Sequence, residues 1–370
     1  MKMYPLAKPD ISPDDIAAVT KVLKSQYLSR GPVVAEFEKQ FCRIIQVKYA
    51  CALSSGSAGL IVALQALGVK AGDEVITVSF TVPATVNSIV AIGAVPIMID
   101  IELQTLGMCP DALNKAITEK TKAIIVVHAF GQAAHIHKIM DIARQYNIRV
   151  IEDACEAIGN NYQDEPLGSI ADVGVFAFYP NKQITTGEGG MLVTNDEILQ
   201  HKCELLRNHG RSMNGDLLDQ QSFGWNFRMS DINAALGLSQ LKRLKQIIQK
   251  RREIAHSYGE MLNQYDNIMC PQFSHNEKDS AWFVYVIRLV KKAQNYNRDQ
   301  VMADLRKHGI QCGRYFAPVH LQPYYQNNFP QLKLDNTELI ASQCLALPFY
   351  TQLKKTDIEF ICDKLLKSTH

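Results

Sequence analysis

Five short apolar runs mark the first half of the chain, at 74–79, 95–100, 123–128, 149–153 and 173–178. Each is rich in β-branched residues and continuous rather than alternating. Continuous apolarity predicts strands covered on both faces, hence a mostly parallel sheet in an α/β domain. Helical patterns or loops separate the runs. Ser12 and Pro13 open a predicted helix at 12–24, as N-cap and first-turn proline. A second helix is predicted over 34–45, with Phe37, Phe41 and Ile44 on one face. A third follows a Gly-Ser turn at 54–59 and runs through LIVALQAL. The stretch 231–262 predicts one long helix, because Leu238, Leu241, Leu244, Ile248, Ala255 and Tyr258 recur near a 3.6-residue period.

From about residue 245 the pattern changes. Residues 282–290 alternate loosely, as an antiparallel strand does, 298–308 are amphipathic, and 314–324 form a loop rich in proline and aromatic residues. The expectation is a large α/β domain at 1–244 and a smaller α+β domain at 245–370. The long helix connects them, and the N-terminal segment is free to pack on the smaller one. No internal repeat or low-complexity segment interrupts this order.

Composition changes the picture mainly by exclusion. A chain of 370 residues can bury a substantial core without staples. Lys+Arg number 39 and Asp+Glu 37, a net charge of +2, which offers no electrostatic ground for nucleic acid or an anionic membrane. No apolar run is long enough to span a bilayer, and MKMYPLAKPD lacks a signal-peptide core, so a cytoplasmic location is expected. Nine cysteines stand singly, without a Cys-x-x-Cys pair. They read as small buried residues rather than disulfides or zinc ligands. His135 and His137 read as surface histidines at a helix start, so no metal is expected.

The candidate chemistry centres on FAFYPNKQITTGEGG at 176–190. Its single lysine, Lys182, stands between an apolar run and a glycine-rich turn. A lysine at the mouth of a buried strand is a candidate desolvated amine, able to attack a carbonyl and form a Schiff base; a lone lysine more often snorkels to solvent. Gly56, Ser57 and Ala58 open a helix, where free backbone N–H groups and the helix dipole favour a phosphate; an ordinary N-cap looks the same. Asp153 ends a predicted strand, a position shared by helix-capping carboxylates and by site residues. Cys155 lies close by in sequence.

Together these segments resemble the DegT-type (DegT/DnrJ/StrS) sugar aminotransferases, a branch of the fold-type I pyridoxal-phosphate (PLP) enzymes. FYPNKQITTGEGGM carries the resemblance most strongly, and it extends from about residue 5 to the C-terminus. It implies a PLP-dependent transferase-like fold and PLP carried on Lys182. It also implies a phosphate held by Gly56, Ser57 and Ala58, and a pyridine nitrogen paired with Asp153. Glu156 stands where the family usually has His or Gln bonding the ring hydroxyl, and a second carboxylate there is repulsive unless protonated. Ala177 replaces a common phosphate-binding serine. Val82 replaces a common ring-stacking aromatic, leaving either Phe80 as a substitute or Val82 itself packed on the ring.

Asn226, in the loop GWNFR, matches a position that touches the partner subunit's PLP phosphate; a surface loop capping a helix at Ser230 fits the same residues. Trp282, Arg314, His320 and Tyr324 fall in segments that line the substrate side in the family. The implied activity is transfer of an amino group, with glutamate the usual donor, to the keto group of a nucleotide-linked sugar, by a homodimer with shared sites, in polysaccharide, glycan or secondary-metabolite biosynthesis. Three rivals are a sugar dehydratase, a non-enzymatic regulator on the same fold and a nicotinamide dehydrogenase. The dehydratase branch replaces the lysine by histidine, and the regulator does not need Lys182, Asp153 and the Gly-Ser turn together. The dehydrogenase lacks its Gly-x-Gly-x-x-Gly.

Overall fold

Twelve strands can be followed in chain order in the computed structural model, which describes residues 2–212, 219–272, 280–290 and 297–369. They are β1 (Tyr49–Leu53), β2 (Glu74–Val78), β3 (Val95–Ile99), β4 (Thr121–Val127), β5 (Arg149–Asp153), β6 (Asn161–Tyr162), β7 (Glu165–Pro166), β8 (Val173–Ala177), β9 (Gly190–Thr194), β10 (Ile268–Met269), β11 (Tyr285–Leu289) and β12 (Cys344–Leu347). Seven make one sheet in the order β1-β9-β8-β5-β4-β2-β3. All run in one direction except β9, which is antiparallel to both β8 and β1. The five predicted runs are the parallel strands β2, β3, β4, β5 and β8, and the α/β expectation holds.

Two strands of this sheet went unread in the sequence. β1 is YACAL, whose alanines carry no β-branched signal, and β9 is GMLVT, which emerges directly from the glycine-rich loop. Both are almost wholly buried. Apolar side chains pack on both faces: Phe37, Phe41, Phe176 and Phe178 make edge contacts on one, and Leu60, Val62 and Leu64 of the helix Gly56–Ala66 cover the other.

The first predicted helix is Pro13–Leu23, capped reciprocally by Ser12 and Asp15. The predicted long helix is instead two, Asp231–Lys242 and Leu244–Leu262. Arg243 lies between them with φ −103° and ψ 3°, and its guanidinium binds Asp10 and Asp15 at 3.2 and 2.8 Å. Those two acids anchor the break to the N-terminal segment, a contact that the helical period does not encode.

A second core surrounds the antiparallel sheet β10-β11-β12, with the helices Arg298–Lys307 and Lys355–Ser368 packed on it. Tyr4 belongs to this core: its N–H donates to the Gly309 carbonyl at 2.9 Å, and its ring stacks on Phe360. Among the described residues no helix is long and apolar enough to cross a membrane.

Candidate active site

In a parallel sheet the strands deliver their following residues to one edge. β2 leads into Ser79 and Phe80, β4 into Phe130, β5 ends on Asp153, and β8 leads to Lys182. β1 leads into the turn before Gly56. Residues far apart in sequence therefore converge.

Lys182 follows a turn in which its own N–H donates to the Tyr179 carbonyl at 2.9 Å. The loop is closed at its base, where the Phe178 carbonyl accepts from the Thr186 N–H and the Thr185 hydroxyl at 3.0 and 2.9 Å. The Lys182 side chain is 11% exposed. Its Nζ lies 3.3 Å from Glu156 Oε1 and 4.1 Å from the centre of the Phe283 ring. Burial pushes the Glu156 carboxyl up, with the Lys182 ammonium and the Phe130 N–H acting in the opposite direction. That N–H donates to Glu156 Oε2 at 2.8 Å, from a residue with φ 61°.

Asp153 is buried with its carboxylate oriented by two donors. The Thr85 hydroxyl gives Oδ2 a 2.8 Å bond, and the Cys155 N–H reaches Oδ1 at 3.3 Å. Thr85 lies on the helix Pro83–Ala91, which follows β2. Its neighbour in sequence, Glu152, points the other way. It accepts from the N–H groups of Gly168, Ile170 and Ala171, and lies 2.9 Å from His128 Nε2. Glu152 thus holds a loop, and only Asp153 faces the Thr85 side.

The helix Gly56–Ala66 starts directly above the ends of β8 and β9. A Cβ on Gly56 would come 2.8 Å from that of Ala177, and one on Gly190 would come 2.8 Å from the Gly56 nitrogen. Glycine at both places permits this approach. Ser55 caps the helix by accepting from the Ala58 N–H at 3.1 Å. The amides of Gly56 and Ser57 are first-turn groups, which a helix leaves without intrahelical acceptors. Ser57 is exposed, while Gly56 and Ala58 are buried. Cys155 lies 3.0 Å from the same hypothetical Gly56 Cβ, and burial raises its thiol pKa well above the usual range.

The remaining expected residues are placed unevenly. Phe80 is fully buried and packs at T-shaped angles against both Phe130 and Phe316. Val82 is the exposed one of that pair, at 39%, and caps the helix Pro83–Ala91. His320 is buried against the end of β2: Ser79 Oγ accepts its backbone N–H at 3.0 Å and lies 2.6 Å from Nδ1, while Nε2 is 3.3 Å from Glu338. Tyr324 is exposed, packed edge-on against Tyr325.

Arg314 is not brought to this group; Asp299 holds it at 2.8 Å on the helix Arg298–Lys307. The next residue, Tyr315, stacks on Phe316. Trp282 is buried and stacks on Tyr285. Asn226 is exposed on a loop bridged to Asn208, and the following Phe227 carbonyl accepts from the Ser54 N–H at 2.8 Å. That bond ties the loop to the turn before Gly56.

Thr85, Phe130 and Phe283 were missed in the sequence. Each is an ordinary-looking residue whose partner lies between 26 and 101 positions away in the chain. Carboxylates do come near the two histidines, Glu102 to His135 and Glu165 to His137. Among the described residues no group of three ligating side chains forms a metal site.

A nearly enclosed lysine, an oriented carboxylate and a helix N-terminus match the three functional groups of PLP: aldehyde, pyridine nitrogen and phosphate. The donor set fits that cofactor, with Lys182, Asp153 and the first turn at Gly56 as the residues that would hold it.

Comparison with known proteins agrees with this chemistry. The model of the DegT/DnrJ/EryC1/StrS aminotransferase family matches residues 9–366. The spore coat polysaccharide biosynthesis protein SpsC of Bacillus subtilis (strain 168) is 37% identical over 371 residues, covering 97% of this chain and 95% of that one. A putative sugar aminotransferase of Streptococcus pneumoniae, Spr1654, has been solved in its PLP form. It superposes with a TM-score of 0.92 at 27% identity, covering 100% of this chain and 99% of that one. DesI, solved in the presence of its TDP-sugar product, superposes with a TM-score of 0.91 at 29% identity, covering 100% of this chain and 93% of that one. The chain belongs to the DegT/DnrJ/EryC1/StrS aminotransferase family, and its cofactor is pyridoxal 5′-phosphate.

Proposed function

We propose that this enzyme transfers an amino group, with glutamate as donor, to the keto carbon of a nucleotide-linked sugar, and that it works as a homodimer. The observation that carries the chemistry is the Lys182 amine, almost enclosed, beside Glu156 and Phe283. The nucleotide-linked substrate is supported by DesI, whose structure was solved with its TDP-sugar product. The exposed Asn226 loop, tied to the Gly56 turn, supports the dimer reading. The core around β10-β11-β12, which takes in Tyr4, supports a smaller C-terminal domain on which the N-terminal segment packs.

In this reading the Lys182 Nζ anchors the cofactor, is released when the donor binds, and then moves a proton as general base and acid. Bound PLP supplies an electron sink that makes the donor's α-proton labile. Asp153 would hold the pyridine nitrogen, and the Thr85 hydroxyl and Cys155 N–H fix which way its carboxylate points. The Phe283 ring covers the amine and excludes water from that side. Glu156 holds the amine in place while it is free, at 3.3 Å. The first-turn amides at Gly56 and Ser57 are suited to a phosphate.

The test is to incubate the purified holoenzyme with glutamate and a panel of nucleotide-linked keto-sugars and to weigh the products. An aminated sugar, with hydroxyls intact, supports the proposal. Consumption of a keto-sugar with loss of a hydroxyl and no glutamate requirement contradicts it.

A further inference from the structure

Arg251 lies on the buried face of the helix Leu244–Leu262 and is only 4% exposed. No carboxylate pairs with it among the described residues. A buried guanidinium without a counter-ion is costly unless its donors are satisfied. Here the two terminal nitrogens are used on backbone carbonyls of two segments, while Nε has no partner among the described residues. Nη2 donates to the carbonyl of Lys182 itself at 3.2 Å. Nη1 donates to the carbonyls of Phe283 at 3.0 Å and Trp282 at 3.3 Å. The guanidinium also sits 5.5 Å from the centre of the Phe349 ring. Its pKa is lowered to about 10 by burial, so the charge is retained at neutral pH.

These acceptors have one thing in common. Lys182 carries the amine, and Phe283 carries the ring 4.1 Å from that amine. Arg251 therefore joins the lysine's main chain to the main chain of the wall that covers it. The same wall is held from its other end. Asn160 accepts from the Ala281 N–H and donates to the Gly131 carbonyl at 2.8 Å, next to the Phe130 whose N–H binds Glu156. Trp282, with φ 30°, sits between these two anchors in a backbone region rarely adopted by a bulky residue. With its N–H on Tyr179 and its carbonyl on Arg251, Lys182 has a fixed base and only its side chain is left to swing.

We propose that Arg251 is a positioning residue: by clamping the Lys182 and Phe283 main chains together, it sets where the lysine amine stands relative to the cofactor. It touches neither substrate nor cofactor. The proposal rests on Lys182 being the cofactor lysine. That premise is checked separately, by finding borohydride-fixed cofactor on the Lys182 peptide of the unmutated enzyme.

The experiment compares Arg251→Met, which keeps an unbranched apolar stem and removes every donor, with Arg251→Lys, which keeps the charge and part of the donor set. Three quantities are read: the rate at which added PLP becomes reducible onto Lys182 in cofactor-free protein, the kcat and KM of each variant, and cooperative melting. The expected result for Arg251→Met is trapping and kcat each slowed about 100-fold, since a displacement near 1 Å at a reacting group costs that much. KM for the sugar should stay within about threefold, and Arg251→Lys should recover at least tenfold of the loss. A folded Arg251→Met that melts earlier but traps cofactor and turns over as the unmutated enzyme does would make the residue merely structural and overturn the proposal. If Arg251→Met does not fold, Arg251→Lys decides: slowed trapping at an unchanged sugar KM supports the proposal, and unmutated behaviour overturns it. Failure of both variants to fold would also overturn it, because the residue would then be a determinant of the fold alone.

Discussion

The Lys182 amine stands 3.3 Å from the Glu156 carboxylate, and both side chains are about nine-tenths buried. Each is the other's compensation for leaving water. Removing one partner of such a pair leaves an uncompensated group, which costs more than the pair itself contributes. Glu156→Leu should therefore destabilise the cofactor-free protein by about 3 kcal/mol. Denaturant unfolding measures this. A change under roughly 0.5 kcal/mol, the size of a neutral surface substitution, would show that the contact is incidental.

Asp153→Asn retains the shape and can still accept from the Cys155 N–H, so the variant should fold. The charge proposed to pair with the ring nitrogen is lost, and kcat should fall by roughly 100-fold or more. Thermal melting and steady-state rates, taken together, separate the two effects. Near-normal turnover in a folded variant would reduce Asp153 to a structural acceptor for Thr85.

The strands were legible where β-branched residues announced them and illegible where they did not. Residues 173–178 read as a strand from the apolar run of Val173, Val175, Phe176 and Phe178, whereas Ala50 and Ala52 of β1 gave no such signal. Lys182, Asp153 and Gly56 stand out in the sequence because each lies in a motif with its own chemistry. Thr85 and Phe283 do not, because their meaning comes from Asp153 and Lys182, which lie 68 and 101 positions away. Arg251 left a trace that sequence reasoning can use. It occupies the same helical stripe as Ile247, Ile248, Ile254 and Tyr258, all buried, and a charged residue in such a stripe needs an explanation. Arg314 was implied by its family segment alone, and in the structure it pairs with Asp299.

Cys155 sits against Gly56 and Asp153, where a reactive thiol would threaten the site. Burial, with Asp153 adding to it, raises its pKa well above the ordinary value of 9.0. A raised thiol pKa means less thiolate at any given pH, so alkylation should be slow at pH 8 and should not rise until the solution is well above pH 9. Peptide mapping after iodoacetamide treatment measures this residue by residue. Rapid modification of Cys155 at pH 8 would contradict the buried, neutral thiol.

A composite site makes a prediction about mixtures. If Asn226 completes a neighbouring subunit's site, Lys182→Ala and Asn226→Asp chains should be weak or inactive alone. Hybrids of the two should regain activity, because one of their two sites contains both intact residues. Subunit exchange is followed with differently tagged chains. Proven exchange without recovery would place each site within a single chain.

The central claim is that Lys182 runs a transamination, and one half of that reaction can be isolated. Glutamate added to the pure holoenzyme, with no sugar present, should release one equivalent of 2-oxoglutarate per chain and change the cofactor's absorbance. Adding the keto-sugar should then restore the original spectrum. Lys182→Ala, loaded with the same cofactor, should do neither. Release of 2-oxoglutarate by Lys182→Ala at the unmutated rate, or an unmutated enzyme that ignores every amino donor, would contradict the account.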